Sequence, residues 1–228
     1  MSIADNLKNI QDRIAAAAKR AGRDPSSIKL VVVTKTVDAE RIREAVSAGA
    51  AILGENRVQE GKEKIEQLGK AASWHLIGRL QSNKAKYAVK LFELIHSVDS
   101  LALAQEIDRQ AAKIGKVQDV LIEVSIAGEE QKAGVTIDET AALIRDAAKL
   151  ANISIKGLMT IPPFLANPEE VRPYFRRLRE LALIIAGKNL PNVSLQELSM
   201  GMSGDFETAV EEGATLVRVG TAIFGKRS

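Results

Sequence analysis

The stretch Leu30-Val31-Val32-Val33-Thr34-Lys35-Thr36 decides how this chain is read. It is short, apolar and β-branched, with polar Lys29 before it and a helix-like pattern from Asp38 after it, as expected for a strand buried on both faces. Strand alternation puts Val31, Val33 and Lys35 on one face. A lysine there either marks the strand end and reaches water, or is an amine held at the mouth of a sheet and activated by burial as a nucleophile. The stretch alone favours the first reading. The rest of the chain reverses that order.

Upstream, Ile3, Leu7, Ile10, Ile14 and Ala17 recur at helical spacing until Gly22 stops the helix. Downstream the pattern alternates. A helix over 38–48 leads to a strand at Ala51–Leu53, and a charged helix to Leu68 leads to Trp74–Gly78. A helix over 83–91 precedes the strand Leu94–Val98, and a helix to Ile114, capped by Asp99 or Ser100, precedes Val117–Ile126. A glycine-bearing loop and a helix over 138–150 lead to Ile153–Ile161, and a helix over 169–185 leads to Val193–Leu198. A helix over 205–212 precedes the last strand, Leu216–Val219, and a stub over 222–228. Eight strands alternating with helices predict an α/β fold, a parallel (β/α)8 barrel of the TIM type with an extra N-terminal helix. No eighth helix follows the last strand, and the opening helix over 3–21 is expected to fill its outer position. A doubly wound open sheet shares the alternation but seldom needs eight similar units. No linker or compositional break divides the chain, so residues 1–228 read as a single domain.

Composition narrows the classes. Lys plus Arg exceed Asp plus Glu by 32 − 29 = 3, spread along the 228 residues without a basic block, which argues against nucleic acid and membrane surfaces. The densest basic stretch, Arg172 to Arg179, reads as a solvated helix face. Cysteine is absent, which excludes disulfides and fits a reducing, cytoplasmic compartment. His75 and His96 are the only histidines, which argues against a metal site. The opening 21 residues are amphipathic rather than a signal peptide, and no apolar run reaches the roughly 20 residues that span a bilayer.

In either α/β architecture the chemistry belongs at the C-terminal ends of the strands. There the first strand presents Lys35, the second Asn56 and Arg57, the third His75, and the sixth Met159 and Thr160. The last two strands end in Ser199-Met200-Gly201-Met202-Ser203-Gly204-Asp205 and Arg218-Val219-Gly220-Thr221. Barrels often bind phosphate in these loops; the glycines allow close backbone approach, and Ser199, Ser203 and Thr221 supply hydroxyls. Asp205 and Glu207 cut against an anion, and an ordinary Gly-Ser turn is the plainer alternative. His75 beside Trp74, and Met159, are the kinds of residue that more often fill a core. Arg218, close to a rim glycine, needs a partner if buried. A lysine amine, a phosphate cradle and an inward arginine together suggest pyridoxal 5′-phosphate, and a Schiff-base aldolase acting on sugar phosphates fits almost as well.

The segments VVVTKT (31–36), LGENRVQE (53–60), WHLIGRLQSNK (74–84), HSVDS (96–100), GEEQKAGV (128–135), GLMTI (157–161), LSMGMSGDFETAV (198–210) and GATLVRVGTAIFG (213–225) resemble the pyridoxal phosphate homeostasis protein family. That family is similar to the N-terminal barrel of bacterial alanine racemases. The resemblance implies a monomeric cytoplasmic barrel that holds pyridoxal 5′-phosphate as an aldimine on Lys35. It implies phosphate contacts from Ser203, Gly220 and Thr221, with Gly204 in the same cofactor site, Ser199 and Asn56 nearby and Arg218 at the ring nitrogen. His75 and Met159 match positions lining the same pocket. At Ser125 many members carry asparagine, so no contact is carried over from the fifth strand. The implied role is to buffer or deliver the cofactor, with pyridoxal-phosphate-dependent apoenzymes as partners and no catalytic residue. The alternative is a single-domain amino-acid racemase, which needs a second proton-transfer group opposite Lys35. In the racemases a tyrosine of a C-terminal β-domain fills that role; here the chain stops seven residues after Thr221, and Tyr87 and Tyr174 fall within helices.

Overall fold

Val31 and Val32 pair on both edges, as a strand inside a sheet must. The computed structural model describes residues 2–69, 71–127 and 133–225. Its strands are β1 (Lys29–Val33), β2 (Ile52–Glu55), β3 (Ser73–Leu76), β4 (Leu94–Val98), β5 (Gln118–Ser125), β6 (Val135–Thr136), β7 (Ile153–Met159), β8 (Val193–Ser199) and β9 (Leu216–Val219). The helices are α1 (Ile3–Arg20), α2 (Ala39–Ser47), α3 (Val58–Leu68), α4 (Ala85–Leu91), α5 (Leu101–Ala112), α6 (Ile137–Ala147), α7 (Pro168–Ala186), α8 (Phe206–Glu211) and α9 (Thr221–Phe224). The first five residues of the GEEQKAGV segment and residues 226–228 of the expected C-terminal stub lie outside the described residues.

The strands run parallel in the order β1-β2-β3-β4-β5-β7-β8-β9, and β9 returns to β1 through Val31↔Arg218, so the sheet closes into an eight-stranded barrel. This is the expected (β/α)8 architecture rather than an open sheet. β6 was not legible beforehand: it pairs with β5 through Val124↔Val135, outside the ring. Gly134, at φ 113, permits that pairing, because a Cβ there would lie 2.7 Å from the Ser125 nitrogen. The second strand reaches Glu55 rather than ending at Leu53, and the sixth barrel strand ends at Met159, two residues short of Ile161.

Alternation sorts the side chains into two cores. Val31, Val33, Ile77, Leu94, Leu121, Met159 and Leu216 fill the barrel interior. The opposite parity, including Val32, Leu53, Ile95, Ile122, Leu158 and Val217, packs outward against the helices. α1 starts in a capping box between Ser2 and Asp5 and buries Leu7, Ile10, Ala17 and Ala18. It lies against α8, α9 and α2, with Asn6 Nδ2 donating to Ile223 O at 2.9 Å and Arg13 pairing with Glu207 at 2.7 Å. The opening helix thus occupies the outer position left by the four-residue α9. The basic stretch of α7 is more than a solvated face: Arg172 bonds Glu211 at 2.7 Å, and Arg172, Arg176 and Arg179 converge on buried Glu212. No helix among the described residues is long and apolar enough to cross a membrane.

Candidate functional site

Lys35 follows β1 in a turn rather than lying within the strand, and it opens half-buried into a cavity of about 420 Å³ at the C-terminal mouth of the barrel. Asn56 after β2, Ser203 and Gly204 after β8, and Arg218, Gly220 and Thr221 at the end of β9 share its wall. The two glycine-bearing loops approach closely. A Cβ on Gly220 would lie 3.1 Å from Val33 O, and one on Gly201, at φ 90, would lie 2.5 Å from the Ala209 side chain. Asp205 does not cap α8 with its side chain; its Oδ1 accepts from the Met202 amide at 2.6 Å, and burial pushes its carboxyl up. Glu207 is turned to Arg13.

Arg218 forms part of the cavity floor and continues into a buried polar line. It is 4% exposed; its Nη1 donates to Ser199 Oγ at 2.5 Å and its Nη2 to Thr160 O at 2.9 Å. Ser199 Oγ lies 2.9 Å from His96 Nδ1, and His96 Nε2 lies 3.1 Å from His75 Nδ1. Burial lowers the Arg218 pKa to about 10, partly offset by Glu123 and Asp205, so the guanidinium remains a cation at neutral pH. Burial lowers His75 to about 4 and holds His96 well below its ordinary value, with His75 and Arg218 adding to the effect at His96. Both rings are neutral at physiological pH. Burial raises Glu123 to about 7, reinforced by Asp99 and opposed by Arg218.

Seven of the ten residues singled out from the sequence therefore meet around one cavity: Lys35, Asn56, Ser203, Gly204, Arg218, Gly220 and Thr221. His75, Met159 and Ser199 do not line it; they sit in the barrel interior, where Ser199 reaches the cavity only through Arg218. Sequence reasoning missed His96, which shares inward parity with Leu94 and is the chain's one other histidine. It also missed the apolar wall supplied after β7 by Ile161, Pro162, Pro163 and Phe164, signalled only by the proline pair. An amine on one wall, hydroxyls on another and a cation in the floor suit an anionic ligand bearing a carbonyl group.

A family profile described as alanine racemase, N-terminal domain, matches residues 6–228. A pyridoxal phosphate homeostasis protein of Aquifex aeolicus (strain VF5) is 50% identical over 228 residues, covering 100% of this chain and 99% of that protein. The chain belongs to the pyridoxal phosphate homeostasis protein family. The solved structure of PipY of Synechococcus elongatus PCC7942 with PLP bound is 38% identical with a TM-score of 0.84, covering 98% of this chain and 100% of that one. An alanine racemase of Clostridium difficile 630 is 20% identical with a TM-score of 0.68, covering 98% of this chain and 57% of that one. At that identity the likeness to the racemase is one of fold alone.

Proposed function

We propose that this protein binds pyridoxal 5′-phosphate through Lys35 and buffers or delivers it in the cytoplasm, as a monomer and without catalysing a reaction of its own. The observation that carries the reading is the meeting of Lys35, Ser203, Thr221 and Arg218 around one cavity. The PLP-bound structure of PipY and the name of the Aquifex relative support it. The donor set fits the group: the cavity of about 420 Å³ lies within the range of small-ligand pockets, and an amine, two hydroxyls and a guanidinium line it. When bound, the cofactor supplies an electrophilic aldehyde and an electron-accepting ring. Lys35 would hold the group through its amine, the one nucleophile among the cavity-lining residues that suits an aldehyde. Ser203 and Thr221 donate to the phosphate, at about 1.5–3 kcal/mol for each charge-assisted hydrogen bond. Arg218, a fixed cation, disfavours a second positive charge on the pyridine nitrogen and so weakens the ring as an electron sink.

The non-catalytic part of the reading rests on what surrounds Lys35. Racemisation needs a second group to deliver a proton to the opposite face. Tyr87 is 40% exposed on α4 and Tyr174 packs on α7, while His75 Nδ1 is engaged by His96 beneath the cavity. Purified protein mixed with pyridoxal 5′-phosphate should develop a visible absorption band, and borohydride followed by peptide mass mapping should recover the pyridoxyl group on Lys35. Recovery on another lysine, or an unchanged band in Lys35→Ala, would end the assignment. Loaded protein incubated with L-alanine and other amino acids in D₂O should leave chirality and Cα deuterium unchanged. Multiple turnovers lost in both Lys35→Ala and His75→Ala would instead establish a racemase.

A further inference from the structure

Behind Lys35 lies a buried ion cluster that the functional reading does not use. Lys64, on α3, is 10% exposed at its side chain and reaches toward the end of β1. Its ammonium has three hydrogens, and three acceptors surround it: Thr34 O at 2.6 Å, Glu55 Oε1 at 2.7 Å and Glu60 Oε1 at 2.7 Å. Glu60 Oε1 also accepts from the Thr36 amide at 2.6 Å, and Glu55 Oε1 accepts the Thr34 hydroxyl at 2.6 Å. Both chain neighbours of Lys35 are therefore tied to the cluster. Thr36 stands at φ 61, a left-handed conformation that a β-branched residue rarely adopts. Glycine or asparagine is the usual occupant of such a turn position, and here the bond from its amide to Glu60 holds a threonine in it.

Stability is a poor reason for such a cluster, since apolar side chains of similar volume generally stabilise a core as well as a buried ion pair does. The cluster also places demands on its members. Burial opposes the charge on Glu60, yet hydrogen bonds from Lys64 and the Thr36 amide hold its carboxyl below the usual range. Burial pushes Glu55 up, and its Oε2 finds no partner among the described residues. We propose that Lys64, Glu55 and Glu60 are positioning residues that fix the Thr34–Thr36 turn, so that the Lys35 amine meets the cofactor's aldehyde at a set distance and angle. The inference rests on the reading of Lys35 given above. Bond formation between amine and carbonyl carbon is sensitive to placement in a way that ring and phosphate contacts are not. Pyridoxamine 5′-phosphate carries the same ring and phosphate but no aldehyde, so its binding includes no bond to the Lys35 amine that a set angle would favour.

The test compares binding of pyridoxal 5′-phosphate and pyridoxamine 5′-phosphate to the wild type, Lys64→Met, Glu60→Ala and Glu60→Gln. Lys64→Met and Glu60→Ala should weaken the aldehyde form about tenfold or more while leaving the amine form within about twofold. Glu60→Gln keeps an Oε1 acceptor for the Thr36 amide and should restore binding. In the cofactor-free protein, hydrogen exchange at the Thr36 amide should quicken in Glu60→Ala and not in Glu60→Gln. Equal losses for both ligands, no loss for either, or a Glu60→Gln variant as weak as Glu60→Ala would overturn the proposal. Lys64→Met strands Glu55 in the interior and can cost the fold, whereas Glu60 is half-buried, so Glu60→Ala carries the test alone if needed. Borohydride trapping on the wild type separates the two ideas. No pyridoxyl on Lys35 sinks the functional reading itself, whereas labelling of Lys35 with unchanged ligand selectivity in the variants sinks only the positioning role.

Discussion

At the scale of single residues, the polar line beneath Arg218 has a direction. Arginine only donates, so Ser199 Oγ is an acceptor in that contact. The arrangement that leaves no buried hydroxyl hydrogen without an acceptor sends it from Ser199 to His96 Nδ1, puts the His96 proton on Nε2, and makes His75 Nδ1 the next acceptor. Proton linkage across this core has opposing signs. The His75 ring refuses a proton down to about pH 4, whereas in the unfolded chain it takes one near 6.5, so its contribution to stability falls as pH drops through that window. Glu123 behaves oppositely. Folded, it keeps its proton up to about pH 7; unfolded, it releases the proton near 4.5, so stability falls as pH rises between those values. Relative to the wild type, Glu123→Gln should therefore gain stability with rising pH, by about 1.4 kcal/mol per pH unit and about 3 kcal/mol in all. Urea titrations of both proteins between pH 4.5 and 7.5 measure this, and a difference that does not vary with pH would show that Glu123 is ionised throughout.

At the scale of elements, α1 does the work of a helix that the barrel motif places after its last strand. Leu7 is 1% exposed beneath it. Leu7→Ala should cost about 2–5 kcal/mol, read from the urea midpoint, while the folded fraction keeps its affinity for pyridoxal 5′-phosphate. A cost below about 1 kcal/mol would mean that α1 is an appendage rather than part of the barrel wall. This substitution of one helix for another was legible, because Leu7, Ile10 and Ile14 advertise an apolar stripe, whereas the segment read after Val219 is only a stub. The arginines of α7 were not: Arg172, Arg176 and Arg179 read as solvated because Glu211 and Glu212, which they meet, lie more than thirty residues away in sequence. The cluster around Lys64 was hidden for a similar reason. Glu55 falls beyond the expected strand, which ends at Leu53, until β2 is seen to continue through it and turn its carboxylate toward α3.

At the scale of the whole molecule, alternation of strands and helices was enough to reach a closed parallel barrel, because parity and loop length are local. Residues that each end a strand, such as Lys35, Asn56, Arg218 and Thr221, were then gathered by closure alone. Parity could not say how deep a side chain sits, so His75 and Ser199 looked like cavity wall and lie below it. That depth has a consequence for traffic. The apolar side chains from Val31 to Leu216 and the line from Arg218 to His75 plug the barrel below the cavity, so its molecule enters and leaves by one door. Whatever shades that door without touching the occupant slows arrival and escape by the same factor. Occupancy at rest stays where the wall contacts set it, while the half-time of exchange lengthens, so a visiting protein that covers the mouth would govern timing and leave capacity alone.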